Sequence, residues 1–397
     1  MVEHQNPYVL RVNSERAPFW ETVKPVLGHL DMELTERCNN NCIHCCVNLP
    51  AQDAGARRRE LSTQDIQSIL EEAASLGCLT VRFTGGEPLL REDFEELYLD
   101  ARKRGLKVLL FTNATLLSTH LADLFSLVPP LEPIEISVYG MKKSSCDAIT
   151  GNAGSFEAAR KGIGLLLERK VPFVVKSAWL NPNKEEVEEL ETWVSTIPWM
   201  DGPPSYSVFF DLHCRRDERR NAGIRKIRPD PQEGLAFLAG RKSRYMKELK
   251  DFCGRFIRPP GHGLFSCGAG VGGGCVDAYG FFHLCMDLKH PRTAYDLNKG
   301  SLNEALTKFF PEVRHLKAEN ADYLARCARC FLKGLCEQCP AKSWAEHGTM
   351  DTPVEYLCEV AHAEARSAGL LGYGEIAWEV VDWEKRVGQL SANQAGK

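Results

Sequence analysis

The chain has 397 residues, of which 44% are hydrophobic and 26% charged, and its formal net charge is −4. This is the composition of a globular protein, not of a disordered chain, and the slightly acidic balance argues against a nucleic-acid-binding surface spread over the whole molecule. No apolar run approaches the roughly 18 residues of a membrane-spanning helix, and the N-terminus lacks the apolar core of a secretory signal. We therefore expect a cytoplasmic protein that binds neither membrane nor nucleic acid.

Residues 1–28 are predicted to form an extended lead-in, and 29–36 a first strand that leads into a cysteine-bearing loop. Ser62 and Asp65 resemble a capping box for a helix over 62–75. Strands are then predicted to alternate with helices, which indicates a parallel sheet. The strands are 79–84, 107–112, 134–139, 172–180 and 205–212, and the helices are 91–104, 118–127, 155–169 and 183–196.

This alternation predicts an α/β fold, a partial (β/α)6 TIM-like barrel over residues 29–230, with its chemistry at the C-terminal ends of the strands. A helical linker is expected over 231–259. Residues 260–365 are rich in glycine and cysteine and contain a hairpin around Gly280, so we expect metal cross-links to hold this domain. A C-terminal helix and polar tail follow over 366–397.

The sixteen cysteines are the strongest compositional signal. The cytosol keeps thiols reduced, so most of them are not expected to form disulfides. Three lie between positions 38 and 45, three between 267 and 285, and five between 327 and 358. Spacing of the C-x2-C kind is typical of metal ligands.

The first group is Cys38-Asn-Asn-Asn-Cys42-Ile-His-Cys45, and Thr84-Gly-Gly-Glu-Pro88 follows the second strand. Three thiolates can hold three irons of a [4Fe–4S] cluster and leave the fourth iron open. The spacing and the Gly-Gly-Glu-Pro turn resemble the radical S-adenosylmethionine (SAM) superfamily. The alternative is a structural zinc site, which would need His44 or Cys46 as its fourth ligand.

The resemblance implies that Cys38, Cys42 and Cys45 bind the cluster and that its open iron binds S-adenosyl-L-methionine. Glu87 is expected to accept a hydrogen bond from the SAM ammonium, and Lys176 is a candidate for the SAM carboxylate. Where the family often has an arginine, this chain has Ala148, and Lys142 or Lys143 could substitute. For several of these residues an ordinary turn or loop cap is the alternative. The complete predicted SAM-binding set is His44, Gly85, Gly86, Glu87, Pro88, Asn113, Ser137 and Lys176.

The C-terminal cysteines resemble the SPASM domain of peptide-maturing radical SAM enzymes, with two residues between the last close pair where the family usually has three. This resemblance implies two auxiliary [4Fe–4S] clusters, both fully ligated unless Cys275 or Cys339 is not a ligand. Two zinc-ribbon-like sites on the same cysteines are the alternative. The first predicted ligand set is Cys267, Cys275, Cys285 and Cys339, and the second is Cys327, Cys330, Cys336 and Cys358.

Two aspartates are weak candidates for a catalytic base. Asp287 lies two residues after Cys285, close to where sulfatase-maturing relatives carry such a base, and Asp211 lies in a comparable region of the barrel. The basic run over 213–228 is either a solvated loop or a grip on an acidic peptide, since arginine pairs well with carboxylates.

The leading hypothesis is a radical SAM enzyme that abstracts hydrogen from a ribosomally made peptide, giving a cross-link, thioether, epimer or oxidised residue. One alternative is a sulfatase-maturing or haem/cofactor-maturing relative, and another is a non-catalytic iron–sulfur scaffold. An electron donor such as flavodoxin or ferredoxin is expected. The 28 residues before the first strand are too few for a leader-binding domain, so leader recognition is expected to need a separate protein.

Overall fold

The structure is a computed structural model that describes residues 27–241, 245–336 and 338–392. Packing divides them into two compact units. The first comprises the described residues up to Ser207 together with Ala269–Pro311, and the second comprises Val208–Gly268 and the described residues from Glu312 onward. The predicted lead-in up to residue 26 and the tail from residue 393 lie outside the described residues. The functional domain boundaries stay a prediction.

A nine-stranded sheet organises the described part of the first unit, in the order β9-β8-β7-β1-β2-β3-β4-β5-β6. Every pairing from β7 to β6 is parallel, and β8 pairs antiparallel with both of its neighbours. The strands β1–β9 are His29–Thr35, Thr80–Gly85, Lys107–Thr112, Ile134–Ser137, Phe173–Ala178, Ser205–Ser207, Gly273–Val276, Phe281–His283 and Tyr295–Asp296. The predicted open α/β barrel is confirmed.

Helices follow the strands as the sequence predicted. Ser62 and Asp65 form the expected capping box at the start of the second helix. Helices α1–α7 are Ala54–Arg59, Thr63–Ser75, Phe94–Lys103, Thr119–Leu127, Lys143–Thr150, Ser155–Glu168 and Val187–Val194. Shorter helical turns lie at Pro88–Leu90, Asn181–Glu186, Pro291–Thr293, Leu302–Glu304 and Ala305–Phe309.

The two faces of β1 differ in chemistry. Leu30 and Met32 are fully buried and alternate with Asp31 and Glu33, so the period of two sends the carboxylates to the opposite face. On β2 the apolar side chain of Phe83 contacts Phe94 of α3, with ring centroids 6.3 Å apart. The acidic face of β1 is therefore the face turned away from the helices.

Two predicted elements of this unit are shorter than expected. The sixth strand ends at Ser207 instead of continuing to residue 212, because the chain passes into the second unit at Val208. The helix predicted over 183–196 begins as a 3-10 turn, Asn181–Glu186, with a proline in its first turn, and becomes α-helical at Val187. Proline lacks the N–H of a regular helix, which favours such an irregular start.

The second unit is helical. Its helices α8–α14 are Glu218–Ile227, Pro231–Arg241, Tyr245–Phe256, Ala321–Ala325, Pro340–His347, Glu355–Ala368 and Trp383–Ala392. One apolar core joins α10 and α13 to the buried Phe331 and Leu332. Shorter turns lie at Phe310–Arg314, Cys327–Arg329 and Phe331–Gly334. No helix in the described residues is long and apolar enough to cross a membrane.

Candidate functional site

The three cysteines of the first motif lie on the loop that follows β1. Burial raises the pKa of Cys38 to about 12, and nearby Cys45 adds to the rise. Burial, followed by the thiols of Cys45 and Cys38, raises the pKa of Cys42 well above its usual value. The three thiols therefore lie within electrostatic range of one another. A raised thiol pKa favours the protonated form, so a metal that bound Cys38 and Cys42 would have to displace their protons.

The Gly-Gly turn after β2 lies directly against the backbone that leads into Cys38. The N–H of Gly86 donates to the Thr35 carbonyl at 2.7 Å, and the N–H of Glu87 donates to the Arg37 carbonyl at 2.9 Å. A Cβ on Gly85 would lie 2.1 Å from the Thr35 oxygen, and one on Gly86 would lie 2.2 Å from the Arg37 oxygen. Gly85 also has a φ of +124°. Both glycines are required for this close approach.

Glu87 ties this turn to the end of β3. Its Oε1 accepts hydrogen bonds from Thr112 Oγ1 at 2.8 Å and from the N–H of Leu89 at 3.1 Å. Its Oε2 accepts from the N–H of Asn113 at 2.8 Å. The side chain is fully buried, which raises the pKa of Glu87 to about 7. These contacts give Glu87 a positioning role, and its predicted contact with the SAM ammonium stays a prediction.

Asn113 extends this network to the cysteine loop. Its side-chain amide donates to Asn39 Oδ1 at 2.9 Å and approaches Cys38 Sγ at 3.8 Å. Asn39 in turn donates to Thr115 Oγ1 at 2.7 Å. The predicted SAM-binding residue Asn113 is therefore also an anchor of the first cysteine.

The far side of the loop is held by the end of α5, a contact that the sequence did not reveal. The N–H of Asn41 donates to the Thr150 carbonyl at 2.7 Å, and that of Ile43 to the Ile149 carbonyl at 3.0 Å. A Cβ on Gly151 would lie 2.7 Å from the Asn41 oxygen, and its φ is +59°. A glycine just after a helical pattern was the available signal, since glycine commonly ends helices.

Asp147 of α5 binds the chain that follows this turn, at the start of α6, and its removal makes a test. The backbone N–H groups of Gly154 and Phe156 hold the pKa of Asp147 below its usual value. A lowered folded-state pKa contributes stability that is present above the unfolded pKa and lost as pH falls through the folded value. We expect Asp147→Ala to lower the thermal unfolding midpoint at pH 7, by a difference that shrinks below about pH 4.

The measurement is thermal unfolding followed by circular dichroism at several pH values. Asp201→Ala is the matched control, because Asp201 is exposed. A midpoint difference that is constant with pH, or equal in the two variants, would contradict the anchoring role of Asp147.

His44 of the cysteine loop forms an aromatic pair with Tyr139. His44 contacts the edge of Tyr139, with ring centroids 4.9 Å apart, and burial lowers the pKa of His44 to about 4. Burial raises the pKa of Tyr139, and the thiols of the cysteine loop and the Ser137 hydroxyl act on it too. The structure therefore brings predicted residues His44 and Ser137 together with Tyr139, which the sequence did not single out.

The loop after β4 has its own buried anchor, Glu186. One carboxylate oxygen accepts from the N–H groups of Met141 and Lys142 at 2.7 and 3.0 Å and from Ser145 Oγ at 2.8 Å. The backbone of Lys142, a predicted substitute for the missing arginine, is held by this contact. Nothing in the local sequence pattern marks Glu186, because its partners lie on another element.

Lys176 and the two candidate bases have separate settings. Lys176 lies 3.5 Å from Glu135 across the neighbouring strands, which leaves its SAM contact a prediction. Asp287 is exposed in the first unit. Asp211 belongs to the second unit and forms an ion pair with Lys342 at 3.2 Å. The role of either aspartate as a base stays a prediction.

Cys275 lies on β7, fully buried among charged side chains. Its Sγ is 3.9 Å from Lys289 Nζ, and that ammonium pairs with Glu33 at 2.9 Å. After burial, the groups that act most on its pKa are Lys289, Glu33, Asp31 and Asp277. The predicted ligand role of Cys275 stays a prediction.

The four cysteines predicted for the second auxiliary cluster all lie in the second unit. Burial raises the pKa of Cys330 to about 12, and Cys358 and Cys327 add to the rise. Burial raises the pKa of Cys336 as well, with contributions from the other three thiols. Cys339 also lies in this unit, as does the exposed Cys267, whereas Cys275 and Cys285 lie in the first unit.

The sequence predicts that the basic run over 213–228 is either a solvated loop or a grip on an acidic peptide. In the structure this run is largely the helix α8, whose start is capped by the Asp217 side chain. Several of its arginines are engaged within the second unit. Arg216 donates to the Trp344 carbonyl at 3.0 Å, and Arg228 pairs with Glu346 at 2.7 Å. These contacts favour a structural role over a grip on an acidic peptide.

Comparison with known proteins relates part of the chain to one family. A family model described as the Radical SAM superfamily matches residues 32–194. An AdoMet-dependent heme synthase from Methanosarcina barkeri is 26% identical over 332 residues, which cover 80% of this chain and 92% of that protein. A PqqA peptide cyclase from Xanthomonas campestris pv. campestris is 32% identical over 166 residues, which cover 42% of this chain and 43% of the relative.

Among solved structures, Streptococcus suis SuiB bound to its precursor peptide SuiA superposes with a TM-score of 0.62 at 16% sequence identity. The superposition covers 86% of this chain and 78% of SuiB. At this identity the likeness concerns the fold alone.

Proposed function

We propose that this chain, whose residues 32–194 match the Radical SAM superfamily, is an enzyme that cleaves S-adenosyl-L-methionine reductively and abstracts hydrogen from a peptide substrate. The family implies a [4Fe–4S] cluster and SAM as cofactors. The finer assignments, namely the eight SAM-binding residues, two auxiliary clusters and an electron donor, are part of the proposal. The enzymatic activity proposed for this chain excludes the alternative of a non-catalytic iron–sulfur scaffold.

One observation carries this proposal: the cysteine loop is held from both sides, by the Gly85-Gly86 turn and by the Ile149–Gly151 turn. Rigid support for a ligand loop is what a metal site needs, because backbone contacts fix the ligands before the metal arrives. Three cysteines on one loop are the number of protein ligands that a cluster with one open iron needs. When bound, this cluster and SAM supply the electron and the 5′-deoxyadenosyl radical that abstracts hydrogen.

The chain's own residues orient and shield this chemistry. Asn113 and Glu87 position the first cysteine, and the buried His44–Tyr139 pair excludes water on the inner side of the loop. The proposed SAM contacts from Ser137 and Lys176 come from the ends of adjacent strands, where barrel enzymes place their substrates.

A peptide substrate is supported by the relative that is named a peptide cyclase and by the fold shared with SuiB. A second candidate substrate is an iron porphyrin, because the heme synthase relative aligns over 92% of its own length. Maturation of a sulfatase remains a further hypothesis.

The test is a hydrogen-transfer assay with anaerobically reconstituted, reduced protein and SAM. We expect roughly twelve irons per chain if three cubes bind, and release of 5′-deoxyadenosine. A precursor peptide encoded beside the gene, uniformly deuterated, should transfer deuterium to 5′-deoxyadenosine. A parallel arm uses an iron porphyrin with deuterated side chains. Deuterium transfer from the porphyrin alone would contradict the peptide proposal and favour the porphyrin. If no 5′-deoxyadenosine is released, both proposals are wrong.

A further inference from the structure

His362 lies one helical turn beyond Cys358 on α13, with its side chain directed back at that cysteine. Its Nδ1 is 2.8 Å from the Cys358 carbonyl oxygen and 3.6 Å from Cys358 Sγ. The residue is buried, and its ring meets Trp378 edge-on with centroids 5.6 Å apart. Packing therefore holds one nitrogen of this ring beside a proposed cluster ligand.

The other ring nitrogen determines the tautomer. The backbone N–H of Ala377 donates to His362 Nε2 at 3.2 Å. A nitrogen that accepts a hydrogen bond carries no proton, so in the neutral ring the proton resides on Nδ1. The hydrogen bond from Ala377 thus makes Nδ1 an N–H donor, and this donor is shared between the carbonyl oxygen and the sulfur of Cys358.

We propose that His362 is a positioning residue that raises the reduction potential of the cluster bound at Cys358, by donating this N–H to the ligating sulfur. The inference rests on the proposed function, in which Cys327, Cys330, Cys336 and Cys358 hold the second auxiliary cluster. A reduced cluster carries one more negative charge, and an N–H donor to a ligating sulfur stabilises that charge. Hydrogen bonds to a ligating atom, made by residues that do not themselves bind the metal, tune a metal site in this way.

Other donors reach the same group of sulfurs, but none is as easily removed. The backbone N–H of Gln338 donates to Cys336 Sγ at 3.3 Å and survives any substitution of its side chain. Arg326 Nη2 lies 4.0 Å from Cys358 Sγ, and its guanidinium is paired with Glu355 at 2.7 Å. Its removal would break an ion pair as well as a sulfur contact. His362 is therefore the side chain whose effect on the potential can be isolated.

Two substitutions separate the bond to Cys358 from the bond to Ala377. In His362→Asn the amide nitrogen takes the place of Nδ1, so the sulfur keeps a donor while Ala377 loses its acceptor. In His362→Gln the longer side chain reaches the place of Nε2, so Ala377 keeps an acceptor while the sulfur loses its donor. The pair distinguishes tuning of the cluster from simple support of the helix.

The experiment is an anaerobic redox titration of the fully reconstituted chain, followed by electron paramagnetic resonance. We expect one midpoint potential to become more negative in His362→Gln and to stay near the wild-type value in His362→Asn. Equal potentials in all three proteins, or a shift that appears in the Asn variant and not in the Gln variant, would overturn the inference alone. Wild-type protein with only about four irons would overturn the auxiliary clusters, and this inference with them.

Discussion

Replacement of Gly86 by alanine is expected to abolish cluster binding at the first cysteine motif. The added Cβ would lie 2.2 Å from the Arg37 oxygen and 2.7 Å from the Glu36 oxygen. Both are backbone atoms, so no side-chain rotation relieves the overlap, which costs about 3 kcal/mol or more. Relief requires a shift of the segment that carries Cys38. We expect a loss of about four irons per chain and a fall of roughly 100-fold or more in 5′-deoxyadenosine release.

Gly164→Ala is the matched control for this variant. Gly164 lies on α6 with nothing within 4 Å of the position of its Cβ. The same change there should keep all the iron and stabilise the helix by about 0.5–1 kcal/mol. Full iron content in Gly86→Ala would show that the turn does not place the cysteine loop.

The second large effect is expected from Cys42→Ala, which should reduce 5′-deoxyadenosine release to the level seen without enzyme. The backbone on either side of Cys42 is held by the hydrogen bonds of Asn41 and Ile43 to the end of α5. The loop should therefore keep its course when the thiol is removed, and the loss is then a loss of an iron ligand. Circular dichroism and iron content, measured together, separate this from unfolding.

Cys46→Ala provides the comparison, since this neighbouring thiol lies outside the proposed ligand set. It should retain iron and activity. Activity that survives in Cys42→Ala and disappears in Cys46→Ala would show that Cys46, and not Cys42, is a cluster ligand.

Local sequence signals predicted most of the barrel. The alternation of strands and helices, the capping box at Ser62 and the bounds of β3 were all read from short windows. The position of β7 was not, because the glycines before Gly273–Val276 indicated an irregular, separate domain, whereas this strand pairs in parallel with β1. Pairing between distant segments leaves no periodic mark in either of them.

The residues of the candidate site also fall into those that the sequence predicted and those that only the structure shows. The cysteine loop and the Gly-Gly-Glu-Pro turn are contiguous motifs, so their residue types and spacing were sufficient to find them. Glu186, Tyr139 and the anchor at Ile149–Gly151 act through contacts between elements that are far apart in sequence. Their side-chain chemistry is ordinary, and only the folded chain shows what they hold.

The parallel pairing of β1 with β7 has a consequence for synthesis on the ribosome. Strand β1 and its cysteine loop emerge early, but the strand that covers one side of β1 begins only at Gly273. Until that point in translation, β1 exposes a row of unpaired backbone groups, which is a template for aggregation in partly made chains. Iron loading before β7 has emerged would act on an incomplete sheet, so nascent chains that end before β7 should depend more strongly on chaperones than chains that include it.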